Sequence, residues 1–288
     1  MKGPIERLAS RARRVCCTCL PLLVAGLMMP GTTRAIVYNL SNGNSTATLN
    51  AGTSAGLNSW TVDGINQLNQ QWYWFRIGSG GPQADLSAIT TTPYVTTLGS
   101  SMLTALYTNA QYGVQVNYTL TGQSAGSGKS GLNETVRAYN FTSSTQAFHL
   151  FMYSDMNLGH LSANQSVALG NDGHGDSTSV QTFGSPVGGS NTWVTSTLAN
   201  HLEAAGDHQT LTELTTVNNL QLNDNANTGP GYPATWAFEW DLTLAPNTST
   251  GISMLDTLSV PELSTSTFIT LGFGAWLFRL RRQYQKTT

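Results

Sequence analysis

Every second residue of the run 236–244 (WAFEWDLTL) is large and apolar: Trp236, Phe238, Trp240, Leu242 and Leu244. A helix of about 3.6 residues per turn would scatter these side chains around its axis, whereas a strand sets them on one face. The opposite face then carries Ala237, Glu239, Asp241 and Thr243. The same period sets Val114, Val116, Tyr118 and Leu120 together in 113–120. In 134–141 it sets Val136, Ala138 and Asn140 against Thr135, Arg137, Tyr139 and Phe141. Residues 147–152 (AFHLFM) are more evenly apolar, as a central strand requires, and 71–77 (QWYWFRI) are apolar on both faces, which predicts cover on both sides. Turn-forming clusters at 78–82, 122–131, 171–175, 184–190 and 223–231 separate these runs. One stretch follows the helical period, through Leu198, His201 or Leu202, and Ala205, with Gly206 to end it. The expectation is an all-β chain: a single antiparallel β-sandwich or jelly-roll-like domain over 36–244, followed by a linker over 245–263.

Charge and sulfur are distributed unevenly. Residues 36–260 hold three cations, Arg76, Lys129 and Arg137, against thirteen carboxylates, a net charge of −10 that the whole-chain value of −2 conceals. Such a body lacks the basic patches that nucleic acid or anionic lipid would need, so no nucleic-acid partner is expected. The three cysteines, Cys16, Cys17 and Cys19, all precede residue 36. The body therefore has no disulfide, no thiolate metal site and no cysteine nucleophile.

The two ends read as routing signals. Lys2, Arg7, Arg11, Arg13 and Arg14 precede an uncharged stretch over 15–29, and Pro30, Gly31 and Thr33-Arg34-Ala35 follow it. This is the layout of a secretory signal peptide over 1–35, with cleavage expected after Ala35. At the other end Val260-Pro261-Glu262 precedes an apolar run at 268–278 (FITLGFGAWLF), and Arg279, Arg281, Arg282 and Lys286 close the chain. Residues 264–280 would span about 25 Å as a helix, slightly less than a hydrocarbon core of about 30 Å. The basic flank is expected to stay on the cytoplasmic side, with the body across the membrane.

Val260-Pro261-Glu262, the short apolar helix and the Arg-rich end resemble the PEP-CTERM sorting tail of Gram-negative bacteria, with Leu263 where that pattern carries a second proline. The body resembles the extracellular portion common in the same proteins. The matching residues are Trp60-Thr61-Val62-Asp63-Gly64, then 70–76 (QQWYWFR), Tyr118-Thr119-Leu120-Thr121-Gly122, Phe148 with Tyr153-Ser154-Asp155, and 236–241 with Leu244-Ala245-Pro246. The resemblance implies an exosortase-like processing enzyme as partner, a membrane attachment through the C-terminal helix (264–288), and an exopolysaccharide-rich cell surface, outer membrane or extracellular matrix as destination. It brings no established activity with it.

Several groups invite a chemical reading. Gly126-Ser127-Gly128-Lys129-Ser130 is half a phosphate-binding loop, but Gln123 stands where the first glycine should be and a strand pattern follows, so a hairpin is expected. Asp172-Gly173-His174-Gly175-Asp176 offers Asp172 and Asp176 as oxygen ligands for Ca²⁺, or is simply a turn. His149, flanked by large apolar residues, reads as a hydrogen-bonded strand residue. Arg76 and Arg137 lie in strands and need carboxylates, for which Asp63, Asp155, Glu239 and Asp241 are candidates. Trp72 and Trp74 would stack on sugar if exposed, or fill the core between sheets, which is the preferred reading. No catalytic residue is assigned. The function expected is that of an exported, non-enzymatic surface or matrix protein, with a carbohydrate-binding module and a secreted hydrolase using two opposed carboxylates as the alternatives.

Overall fold

The computed structural model describes residues 36–90, 92–160, 165–170, 177–181, 191–206 and 208–260. The alternating runs become strands: β1 (Val37–Asn42), β2 (Ser45–Asn50), β3 (Gly56–Val62), β4 (Ile65–Asn66), β5 (Leu68–Ile77), β6 (Ala84–Asp85), β7 (Tyr94–Leu98), β8 (Met102–Thr108) and β9 (Tyr112–Gly122). There follow β10 (Lys129–Asn140), β11 (Gln146–Met156), β12 (Gln165–Ala168), β13 (Ser177–Gln181), β14 (Asn191–Ser196) and β15 (His201–Gly206). After the helix α1 (Gln209–Thr216) come β16 (Asn227–Tyr232), β17 (Ala234–Leu244) and β18 (Ser249–Ser259).

Two large antiparallel sheets stack face to face. The first runs β1-β2-β3-β5-β11-β17-β15, with β4 on β3 and β6 on β5; the second runs β13-β14-β18-β10-β9-β8-β7. β12 and β16 form a separate pair. The fold is an all-β antiparallel sandwich, as the alternation predicts. Its core draws on both inner faces: Trp60, Tyr73, Phe148, Leu150, Phe238 and Trp240 meet Val116, Tyr118, Leu132, Val136, Ile252 and Met254. β11 lies between β5 and β17, which explains its uniformly apolar sequence. Residues Gln71 to Arg76 of β5 are all buried: the sandwich covers one face, and on the other Trp74 packs against Tyr153 and Arg76 is held by Leu220 O.

Two expectations need correction. Residues 201–206 are strand β15 rather than helix, because they pair with the edge of β17 from His201↔Glu239 to Gly206↔Ala234. The helical preference of Leu, Glu and Ala yields to the ladder on an otherwise open edge. The one α-helix among the described residues starts three residues later, at Gln209. The supposed linker from 245 contains β18, which lies between β14 and β10 and buries Ile252, Met254, Asp256 and Leu258. The sandwich therefore runs on to Val260, whose N–H donates to Gly128 O at 2.7 Å.

Among the described residues no helix is long and apolar enough to cross a membrane. The expected signal segment with Ala35, and the tail with Pro261, Glu262, Arg279, Arg281 and Arg282, lie outside the described residues, as do Asp172 and Asp176.

Candidate active site

The strand register gathers titratable groups on the face of the first sheet turned away from the second. Glu239 and Asp241 stand two residues apart on β17, hence on one face. His149 of β11 lies directly opposite Asp241, and Arg76 of β5 lies opposite His149. His201 of β15 lies opposite Glu239 from the other side. Four adjacent strands thus bring two carboxylates, two imidazoles and a guanidinium together.

His149 Nδ1 hydrogen-bonds Asp241 Oδ1 and lies 3.6 Å from Glu239 Oε1. His201 Nδ1 pairs with Asp224 Oδ2 at 3.1 Å, and its Nε2 lies 4.0 Å from Asp241 Oδ2. Glu239 is buried, with 1 % of its side chain exposed, whereas Asp241 is 37 % and His149 18 % exposed. The second oxygen of Glu239 accepts from the Leu222 N–H at 2.9 Å. Burial pushes the Glu239 carboxyl up to about 7, and the Asp241 charge adds to this against the Leu222 N–H, His201 and Arg76. A carboxyl half-protonated near neutrality thus adjoins an imidazole oriented by a second carboxylate, the arrangement that general acid–base chemistry requires. The segment 218–224 roofs the group: Leu220 O accepts from Arg76 Nη1 at 2.8 Å, and Asn219 N donates to Gly81 O.

His149 Nδ1, Glu239 Oε1 and Asp241 Oδ1 also lie within 4.8 Å of one another, a donor set that suits a divalent cation. The Arg76 guanidinium, which sits 5.7 Å over the Phe151 ring and bears on Glu239, opposes a cation there. A second group lies along the same face. The buried carboxylate of Asp155 is 3.4 Å from His208 Nδ1 and accepts from Asn69 Nδ2 at 3.3 Å, while Tyr153 Oη lies 3.3 Å from the same imidazole nitrogen.

The structure disposes of other candidates. Trp72 and Trp74 are 0 % and 2 % exposed, so neither ring is open to a sugar. Trp72 packs edge-on to Tyr107, and Trp74 packs likewise on Tyr153. The Gly126 and Gly128 amides bind an internal anion: the Asp63 carboxylate accepts from Gly126 N at 2.6 Å and Gly128 N at 2.8 Å. Asp63 is thereby used by the hairpin, and Arg137 meets Ser249 Oγ rather than a carboxylate. Glu239 does act on Arg76, but through space. Sequence reasoning missed the His149 group because its members lie about ninety residues apart. The available signal was two acidic residues on the polar face of β17 and a histidine in the most apolar strand.

No family model matches the chain, and no curated protein sequence matches it. Solved structures do. A bacterial glucoamylase complexed with acarbose aligns with a TM-score of 0.54 at 12 % identity, over 82 % of this chain and 34 % of its own. A galactose mutarotase related enzyme from Lactobacillus acidophilus aligns with 0.46 at 9 % identity, over 79 % of this chain and 99 % of its own. A putative aldose 1-epimerase from Escherichia coli K12 aligns with 0.42 at 9 % identity, over 79 % and 100 %. The chain spans about a third of the glucoamylase's length. At these identities the glucoamylase likeness is one of fold. It nevertheless counts against the expectation of a non-enzymatic surface or matrix protein, since the fold that this chain shares is one found in a glucoamylase.

Proposed function

We propose that the chain is a proton-transfer enzyme acting on the hemiacetal carbon of a sugar, with Glu239 as general acid and His149 as general base. The observation that carries this reading is the buried Glu239 carboxyl 3.6 Å from an imidazole already hydrogen-bonded to Asp241, a burial that raises its affinity for a proton. With Nδ1–H given to Asp241, His149 keeps Nε2 as the accepting nitrogen. Opening a hemiacetal requires one proton delivered to the ring oxygen and one removed from the hydroxyl on the same carbon. With the 218–224 cover displaced from its second oxygen, Glu239 supplies the first and His149 Nε2 takes the second, so the proton count balances and no covalent intermediate is needed. Acid and base stand side by side on one sheet face rather than on opposed walls of a cleft. That favours exchange at one carbon over displacement of a glycosidic bond, in which two carboxyl groups flank the substrate. The sugar as substrate class is supported by the fold shared with the glucoamylase. In the test, anomer interconversion of freshly dissolved α-glucose and α-galactose is followed by polarimetry. Acceleration by the full chain that is lost in Glu239→Gln and in His149→Ala supports the reading, and a variant as active as the parent contradicts it.

The same proposal includes an address. The sandwich is one exported, jelly-roll-like domain between a signal helix cleaved after Ala35 and a C-terminal apolar helix. An exosortase-like enzyme processes it near Val260-Pro261-Glu262, and an exopolysaccharide surrounds it at the surface. The segregated cations and the two apolar runs support this part.

A further inference from the structure

The second sheet carries a groove on its outer face, away from the His149 group. It has a volume of about 380 Å³ and is lined by Asn133, Thr195, Ser196, Thr197, Ser253, Met254 and Leu255. The register explains the lining: Thr195 stands opposite Leu255, and Leu255 opposite Asn133, in one row across β14, β18 and β10. One row along, Trp193 stands opposite Thr257. Trp193 and Leu255 are among the few large apolar residues that the sandwich leaves exposed, at 44 % and 39 %. The groove thus has an aliphatic floor with hydroxyl and amide groups along its walls, and the exposed indole of Trp193 stands one row beyond it on the same outer face.

None of the lining side chains is charged, and the Asn133 carboxamide makes no hydrogen bond to the described residues. Thr197 Oγ1 accepts from Ser253 N at 3.0 Å, which fixes that wall. An uncharged lining gives an ionic ligand no counter-charge, and so many hydroxyls suit a ligand that both donates and accepts. An exposed indole beside them offers a flat apolar surface for the C–H face of a pyranose ring. We infer that this groove binds a neutral oligosaccharide chain, stacked on Trp193 and hydrogen-bonded by Asn133 and Thr195, as a binding subsite remote from the catalytic face. The inference rests on the groove's own chemistry and shares with the proposed function only the class of ligand.

The test is affinity electrophoresis of the full chain through gels containing amylose, hydroxyethylcellulose or galactomannan, with alginate as the anionic control. At least one neutral glycan should retard the parent, and alginate should not. Trp193→Ala should weaken retardation roughly tenfold, the scale of losing one aromatic anchor. Asn133→Ala should weaken it less, and both residues are exposed enough for the fold to tolerate the change. Glu239→Gln should bind like the parent, which separates failure of this inference from failure of the proposed catalysis. Retardation unchanged by Trp193→Ala, retardation by alginate alone, or no retardation by any neutral glycan overturns the inference.

Discussion

The sandwich buries two carboxyl groups against each other, and raising the pH should weaken it. Glu134 of β10 and Asp256 of β18 point into the core at 0 % and 2 % exposure. Gln71 Nε2 bridges them, donating to Glu134 and, at 3.1 Å, to Asp256 Oδ2, while Tyr73 Oη donates to Glu134 at 2.7 Å. Asp256 Oδ1 has no hydrogen-bond partner among the described residues. Burial and the Asp256 charge push Glu134 up from 4.5 to about 8, and burial pushes Asp256 up from 3.8 to about 7. Unfolded, both groups lose their protons near pH 4; folded, they hold them until pH 7 or 8. Between those limits the folded state binds more protons, so stability falls as pH rises, by up to about 1.4 kcal/mol per pH unit for each retained proton. One carboxyl held protonated over three units corresponds to about 4 kcal/mol, a large share of a typical stability of about 5–15 kcal/mol. Urea denaturation followed by tryptophan fluorescence at pH 5, 6, 7 and 8 should show this decline. The double variant Glu134→Gln, Asp256→Asn removes these two titrations, and its stability should fall less steeply with pH than the parent's, with the raised Glu239, Asp155 and Glu203 carboxyls still contributing a residual slope. A parent whose stability is level or rises across this range, or a double variant with the same slope, refutes the argument.

Other outcomes follow from particular contacts. Gly56 has φ +56°, and a Cβ there would come within 2.3 Å of the Trp72 ring, so Gly56→Ala should cost about 1–3 kcal/mol in thermal or urea melts. Trp240→Ala removes a fully buried indole whose Nε1 donates to Thr197 O at 2.9 Å, and should cost about 3–5 kcal/mol by the same measurements. Asp63→Ala strips the acceptors from the Gly126 and Gly128 amides; amide hydrogen exchange in the 126–129 hairpin should quicken while the strands stay protected. Deleting residues 268–288 should release the protein from membrane fractions, and undiminished retention on fractionation would contradict the anchoring.

Periodicity made the strands legible because a half-buried strand has to alternate. Residues 113–120 and 236–244 show their inner faces in their letters alone, and 71–77 announce cover on both sides. Where tertiary pairing decides, local letters mislead. Residues 201–206 are good helix formers that pair on the edge of β17. Residues 249–259 hide a central strand behind Ser and Thr on their outer face. The His149 group was not legible, because residues 76, 149, 201, 239 and 241 meet only through the order of four strands. The buried Glu134 was equally concealed: its place on the inner face follows from alternation with Leu132 and Val136, but a carboxyl among them runs against the usual composition of a core. Trp193 reads in the sequence as a core residue like the other tryptophans of the body, which are buried, yet it faces outward.

The acid–base account is tested most directly by the pH dependence of kcat/KM for sugar anomer exchange. Glu239 must carry a proton to act as the acid, so the parent should lose activity as pH rises through about 7. Glu239→Gln should remain low at every pH. A parent rate that stays level from pH 6 to 9, or a Glu239→Gln variant that follows the parent's curve at its full height, contradicts the assignment of Glu239.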